Sequence, residues 1–220
     1  MLDIIPPPHI TEKFKSFKVL NSYLRHNALS SLNTASLAVH MIKIGESDEE
    51  LIEMLSNSLE TVANLLIRTH DIERILEFYK VDLETLKVFD LFEEASKEYY
   101  AKSIEFIIEG DHQTQIESYY GEIFRGIFRN ALQYRNADEI RVNIQREKKS
   151  NIIHILDNGD NLSTEIKSDL IKQVQFNSRK HDQSYIDLFI VNEILKNYNN
   201  IIRIEENTPK GSSFTIIKYF

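Results

Sequence analysis

Residues 24–32, LRHNALSSL, set a histidine into a run whose apolar residues recur at helical spacing, and an imidazole nitrogen is a competent nucleophile toward phosphorus. Phe17, Leu20, Leu24, Ala28, Leu32, Ala35, Val39 and Ile42 return every three or four residues, the period of one helix face. At about 100° per residue, His26 points roughly 200° away from Leu24 and about as far from Ala28, so it faces solvent or a partner. A nucleophile that serves another protein needs that exposure. Ser30, one turn further on, shares the His26 face, while Asn27 lies on the flank of the stripe. Helix position alone fits an ordinary exposed histidine better, since it says nothing about chemistry. What lifts phosphoryl transfer through His26 above that reading is the later presence, in the same chain, of N-A-L-Q-Y at 130–134, D-N-G at 157–159 and G-S-S at 211–213.

These groups need elements to hold them. After the first helix, Ser47 and Glu50 have the spacing of a capping box, which predicts the start of a second helix. Leu51, Leu55, Leu59, Val62, Leu66, Thr69, Ile72, Leu76 and Tyr79 give it a stripe as long as the first. The pair reads as an antiparallel hairpin. Two helices enclose too little core to stand alone, so pairing with a second copy into a four-helix-bundle homodimer is the economical solution. From about Val81 the pattern changes: a mixed stretch runs to Tyr100, followed by a β-rich run over 102–108 and a helix over 116–134. Alternating strands follow at 139–145 and 151–156, helices at about 163–174 and 186–196, and strands at 201–205 and 213–218. The expected fold class is α+β: a helical hairpin over residues 1–80, then an α/β sandwich over 81–220 with helices on one face of a mostly antiparallel sheet.

Composition narrows the function classes. The net charge of −8 argues against a nucleic-acid partner, since neutralising phosphates requires a concentrated basic surface. An apolar share of 42% and a charged share of 27% are those of a globular protein, with no apolar run long enough for membrane insertion. The start MLDIIPPPHI is too short and proline-rich for a signal peptide, and the stretch before residue 11 has no room for a sensor domain. The absence of cysteine excludes disulfides and thiolate chemistry and fits a cytoplasmic location. His40, His70, His112, His154 and His181 have no partner at metal-ligand spacing, and neither a P-loop nor a G-x-S-x-G is present.

In order, the elements and motifs resemble the transmitter region of sensor histidine kinases, in which a dimerising hairpin bearing the phosphoacceptor histidine precedes an ATP-binding domain of GHKL (Bergerat) type. The resemblance runs from Arg25-His26 through YAKSIEFII and FRGIFRNALQY to ILDNG and KGSSFTI. It implies a response-regulator receiver domain as partner and ATP with Mg²⁺ as ligands of the second domain. It further implies Asn130 as the Mg²⁺ ligand and Tyr134 against the adenine. Asp157 with Gly159 would recognise the adenine amino group, and Gly211 with Ser212 would complete the turn beside the base. His26, with Asn27 and Ser30 beside it, would be the phosphoryl-carrying site.

Four departures from that family pattern converge on one half-reaction. Gly126 stands for the first asparagine of the Mg²⁺ pair and Gln133 for a frequent phosphate-binding lysine. Tyr185 and Asp187 stand for the two glycines behind the ATP lid, and Asn27 for the acid that often follows the histidine. A carboxylate facing a triphosphate is electrostatically unfavourable, and an amide is no general base. The sequence therefore reads as a histidine phosphotransferase with a degenerate ATP site. An active ATP-dependent autokinase and a non-catalytic dimeric adaptor are the alternatives.

Overall fold

A computed structural model describes residues 8–45, 49–78, 84–100, 103–172 and 183–220. Ser47, Tyr79, Val81, Lys102 and the end of the helix expected over 163–174 lie outside the described residues. The chain groups into two compact units, Met1–Leu76 and Glu77–Phe220.

The first unit is a pair of long helices, α1 (Pro8–Lys43) and α2 (Glu49–Phe78). Glu49 and Glu50 sit in the first turn of α2 and His40 and Lys43 in the last turn of α1, each complementing its helix dipole. Gly45, at φ 94°, takes the left-handed conformation that stops a helix at little cost to glycine. Phe17, Leu20, Leu24, Ala35 and Ala38 of α1 are buried with Leu51, Leu65 and Ile72 of α2. The inner face of α2 thus steps by seven residues through 51, 58, 65 and 72. Between the two helices of one chain only part of the expected stripes is buried. Leu32 and Val39 are 45% and 37% exposed while Ala38 is fully buried, and Leu59 and Leu66 are 50% and 60% exposed. One antiparallel neighbour covers only a narrow seam, so the rest of a wide apolar face remains open.

In the second unit, β1 (Thr85–Lys87) leads into α3 (Val88–Ser96) and a tight turn at Lys97–Tyr99. Next come β2 (Glu105–Gly110), β3 (Gln115–Glu117) and α4 (Tyr120–Arg129), which continues as a π turn over Asn130–Tyr134. The unit ends with β4 (Glu139–Arg146), β5 (Ser150–Asp157), α5 (Thr164–Ile171), α6 (Gln183–Asn197), β6 (Ile201–Glu206) and β7 (Ser212–Tyr219). Five strands form one sheet in the order β2-β4-β5-β7-β6, parallel only between β2 and β4. This is the mostly antiparallel α/β sandwich that the alternating patterns predict.

Register explains the core. Val142, Ile155 and Phe214 lie opposite one another across three strands, as do Ile144, Ile153 and Ile216, and all six are buried. Every residue of α4 is buried, and Phe106 and Phe128 meet at 5.2 Å with Phe92 and Phe124 around them. The helix expected from residue 116 begins instead at Tyr120, because Ile116 is drawn into a short ribbon opposite Leu86. Three residues are too few for a two-residue period to declare itself.

Tyrosines seal the start of α4. Tyr119 stacks on Tyr198 at 4.1 Å, and Asn200 accepts from the Tyr120 hydroxyl at 2.7 Å while donating to that of Tyr119 at 2.9 Å. Burial pushes the Tyr99 hydroxyl up to about 12 and raises those of Tyr119, Tyr120 and Tyr185 as well. A group kept neutral in this way contributes stability fully below its unfolded value of 10.0 and loses it as pH climbs through the folded value. The second unit is therefore expected to lose stability from pH 10 upward, with the buried phenols ionising only on unfolding. A pH titration of phenolate absorbance alongside circular dichroism checks this; hyperchromicity complete before ellipticity changes would contradict it.

Candidate functional site

In the first unit, Leu24 is fully buried while Arg25, His26 and Ser30 are exposed, as the helical phase requires. Asn27 and Tyr23 are half-buried on the flank, and Asn33 is exposed one turn beyond Ser30. Val19 and Leu29, 49% and 57% exposed, flank the imidazole along the same side of the helix. Two apolar side chains are thus left open to solvent on the His26 side of α1.

In the second unit, the residues expected to hold a nucleotide come together from three chain segments. Asn130 opens the π turn after α4, Asp157 ends β5, and Gly211 and Ser212 lead into β7. All four are buried. At their centre is a side chain that the sequence reading did not select, the guanidinium of Arg135, itself 5% exposed. Its Nη1 and Nη2 donate to the two Asp157 carboxylate oxygens at 2.8 and 2.6 Å, a paired fork geometry. Its Nε donates to Asn130 Oδ1 at 2.9 Å, and Nη1 also reaches Ser212 Oγ at 3.0 Å and the Asp160 carbonyl at 3.2 Å. Asp157 Oδ1 additionally accepts the backbone N–H groups of Gly159 at 3.0 Å and Ser212 at 3.3 Å.

The loops around this centre are fixed by further bonds. Asn207 donates to the Asp157 carbonyl at 2.9 Å, and Asn161 accepts from the Gly211 amide at 2.9 Å. A Cβ at Gly211, where φ is 114°, would run into the Asp157 carbonyl oxygen. At the rim, Lys210 pairs with Asp160 at 2.8 Å, and this hydrogen bond lowers the Asp160 carboxyl below its usual range. Tyr134 is half-buried and Gln133 exposed at the end of the π turn.

On the other side of α4, two of the departures from the family pattern explain each other. Asp187, in the first turns of α6, is 1% exposed and pairs with Arg129 of α4 at 3.2 Å. The Arg129 guanidinium also lies beside the Tyr99 hydroxyl. That ion pair clamps α6 onto α4 where a Cβ on Gly126 would stand 2.6 Å from Val191 Cγ2 and 3.3 Å from the Asp187 carbonyl oxygen. Glycine at 126 is thus required by helix packing. The Asp187 carboxylate expected to face phosphates is directed instead to a buried arginine, and Tyr185 is buried in the same helix.

Magnesium and ATP can be tested against these residues. A hard cation needs free oxygen donors. Here Asn130 Oδ1 and both Asp157 oxygens already accept from Arg135, and Gly126 brings no donor. Among the described residues no group of three or more His, Cys, Asp or Glu could hold a metal ion. As arranged, the residues do not fit MgATP. Arg135 escaped the sequence reading because Asp157 and Ser212, which it joins, lie 22 and 77 positions away. Its one local signal was a cation directly following the N-A-L-Q-Y segment.

A two-helix hairpin precedes an α/β sandwich whose buried helix α4 runs into Asn130 and whose β5 ends in the D-x-G of Asp157 and Gly159. Residues 116–219 match the family model described as histidine kinase-, DNA gyrase B-, and HSP90-like ATPase, and the second unit carries a domain of that family. Among curated proteins nothing matches the chain. Among solved structures, the Acinetobacter baumannii histidine kinase AdeS aligns with a TM-score of 0.63 at 18% identity, over 88% of this chain and 97% of that one. The catalytic domain of histidine kinase ThkA aligns over 63% of this chain and 97% of its own, with a TM-score of 0.52 at 15% identity. A bacterial phosphotransferase aligns over 92% of this chain and 96% of its own, with a TM-score of 0.54 at 14% identity. At these identities the likeness is one of fold.

The packing at Gly126 makes a quantitative prediction. Gly126→Ala is expected to destabilise the second unit by about 1–3 kcal/mol through overpacking, against the usual helix preference for alanine. Val191→Ala should recover most of that loss in the double variant. Urea unfolding of the four proteins checks this; an unchanged or higher midpoint for Gly126→Ala alone would contradict it.

Proposed function

We propose that this protein is a two-component phosphotransfer protein, in which His26 receives a phosphoryl group from an aspartyl phosphate of a response-regulator receiver domain and passes it to another. The observation that carries this reading is the contrast between the two units. The acceptor groups of the ATPase-type cleft are satisfied by Arg135, while His26 stands exposed on α1. Transfer from a receiver uses that imidazole and needs no nucleotide in the second unit.

In the proposed step an imidazole nitrogen attacks phosphorus in line with the aspartyl oxygen. The new P–N bond forms as the P–O bond breaks, and the receiver's carboxylate leaves as the anion. The metal ion and carboxylates for this step belong to the receiver. Ser30, on the same face, positions a receiver group or water, and Asn27 flanks the ring. Val19, Leu29 and Asn33 supply the docking surface around it.

The hairpin acts as a homodimer in this reading. Ile52, Leu59 and Leu66 are 57%, 50% and 60% exposed at seven-residue intervals, next to the buried 51-58-65-72 seam, and Leu32 and Val39 repeat the interval on α1. Such stripes are what a four-helix bundle buries between two copies.

Incubation with a receiver carrying labelled aspartyl phosphate is expected to give acid-labile, base-stable label on the protein, lost in His26→Ala and slowed in Ser30→Ala. Label that persists in His26→Ala, or none on the wild type with any receiver from the same cell, would contradict the reading. Leu59→Glu with Leu66→Glu is expected to convert the dimer to a monomer in sedimentation equilibrium. A wild-type chain already monomeric would remove the dimeric part.

A further inference from the structure

The misfit with MgATP has a positive counterpart. We propose that Arg135 is a tethered ligand: its guanidinium occupies and satisfies the acceptor set of the cleft, so the loops close without a nucleotide. Any planar ligand bearing N–H donors, an aminopurine included, would have to displace it. This inference rests on the reading of the second unit as an ATPase-type domain whose cleft no longer takes nucleotide.

Three features support it. The site is built: Asp157 is 2% exposed, Asn130 1% and Ser212 fully buried, and each offers an oxygen to the guanidinium. The acceptor set is anionic and takes paired donors at the Asp157 carboxylate, which selects a flat cation or an amine-bearing ring edge. Finally, the arginine joins segments distant in sequence, the π turn at 130–134, the end of β5 with residues 158–160, and the start of β7. A diffusible ligand in such a position would order the same loops, and a covalently attached one does so at all times.

The test uses the whole chain with Arg135→Ala, and methylguanidinium and adenosine as probes. Arg135→Ala is expected to melt several degrees lower than the wild type. Millimolar methylguanidinium should restore part of that loss and shift the Gly159 and Ser212 amide resonances, and adenosine should perturb the same amides. The wild type should respond to neither probe. Equal melting temperatures, equal responses of the two proteins to methylguanidinium, or adenosine binding by the wild type would each overturn the proposal. If Arg135→Ala does not fold, Arg135→Lys decides. It retains the charge but loses the fork, so the Gly159 and Ser212 amides should exchange with solvent at least tenfold faster than in the wild type, and equal exchange would overturn the proposal. Transfer from a receiver to wild-type His26 is measured separately; its failure would contradict the proposed function and leave the result at Arg135 standing.

Discussion

The buried pair between Arg135 and Asp157 is the constraint on which the second unit's functional surface depends. Two charges withdrawn from water are tolerated only when their remaining hydrogen-bonding capacity is met, and here Asn130, Ser212, Gly159 and the Asp160 carbonyl meet it. Removing one member of such a pair typically costs about 3–5 kcal/mol, because the other is left charged and buried. The arrangement thus commits the ends of α4, β5 and the β6–β7 connection to one closed geometry. A second buried pair, Arg129 with Asp187, performs the same service between α4 and α6. Arginines at both sides of the segment NALQY, each answered by an aspartate from another element, convert what resembles a ligand cleft into a self-satisfied polar core.

In the proposed reading, one fold separates nucleotide binding from phosphoryl transfer. A nucleotide-dependent kinase needs a cleft whose acceptors are unsatisfied until the nucleotide arrives. A domain whose acceptors are satisfied internally is relieved of that dependence, and it can persist as structure. In that reading the imidazole of His26 depends on no cofactor. It needs exposure, which the stripe through Phe17, Leu20 and Leu24 provides by fixing the opposite face of α1 inward.

Much of this was legible in the sequence where physical periods are long enough to register. The hairpin followed from stripes of eight or more members, and β4 and β5 from strict alternation of Ile140, Val142 and Ile144 against Ile153 and Ile155. The inner seam was legible only in part, because the apolar face is wider than one neighbour covers and nothing local says that Ala38 rather than Val39 turns inward. The strand at 115–117 was not legible at three residues. At the site, the motif positions Asn130, Asp157, Gly211 and Ser212 were found by resemblance and do converge. Arg135 was not, since its role depends on a π turn that shifts the phase of the residues after it and on partners brought close only by the sheet. Gly126 looked like a lost ligand and is a packing requirement, which emerges only once Val191 is seen against it.

If Arg135 closes the cleft of the second unit from within, MgATP finds no site there. Titration calorimetry of MgATP into the whole wild-type chain, carried to about 1 mM, the upper end of ordinary substrate affinities, tests it most directly. No saturable heat beyond dilution is expected. One-to-one saturable binding that Asp157→Ala abolishes would contradict it, because the same carboxylate cannot be held by Arg135 and remain available to a nucleotide.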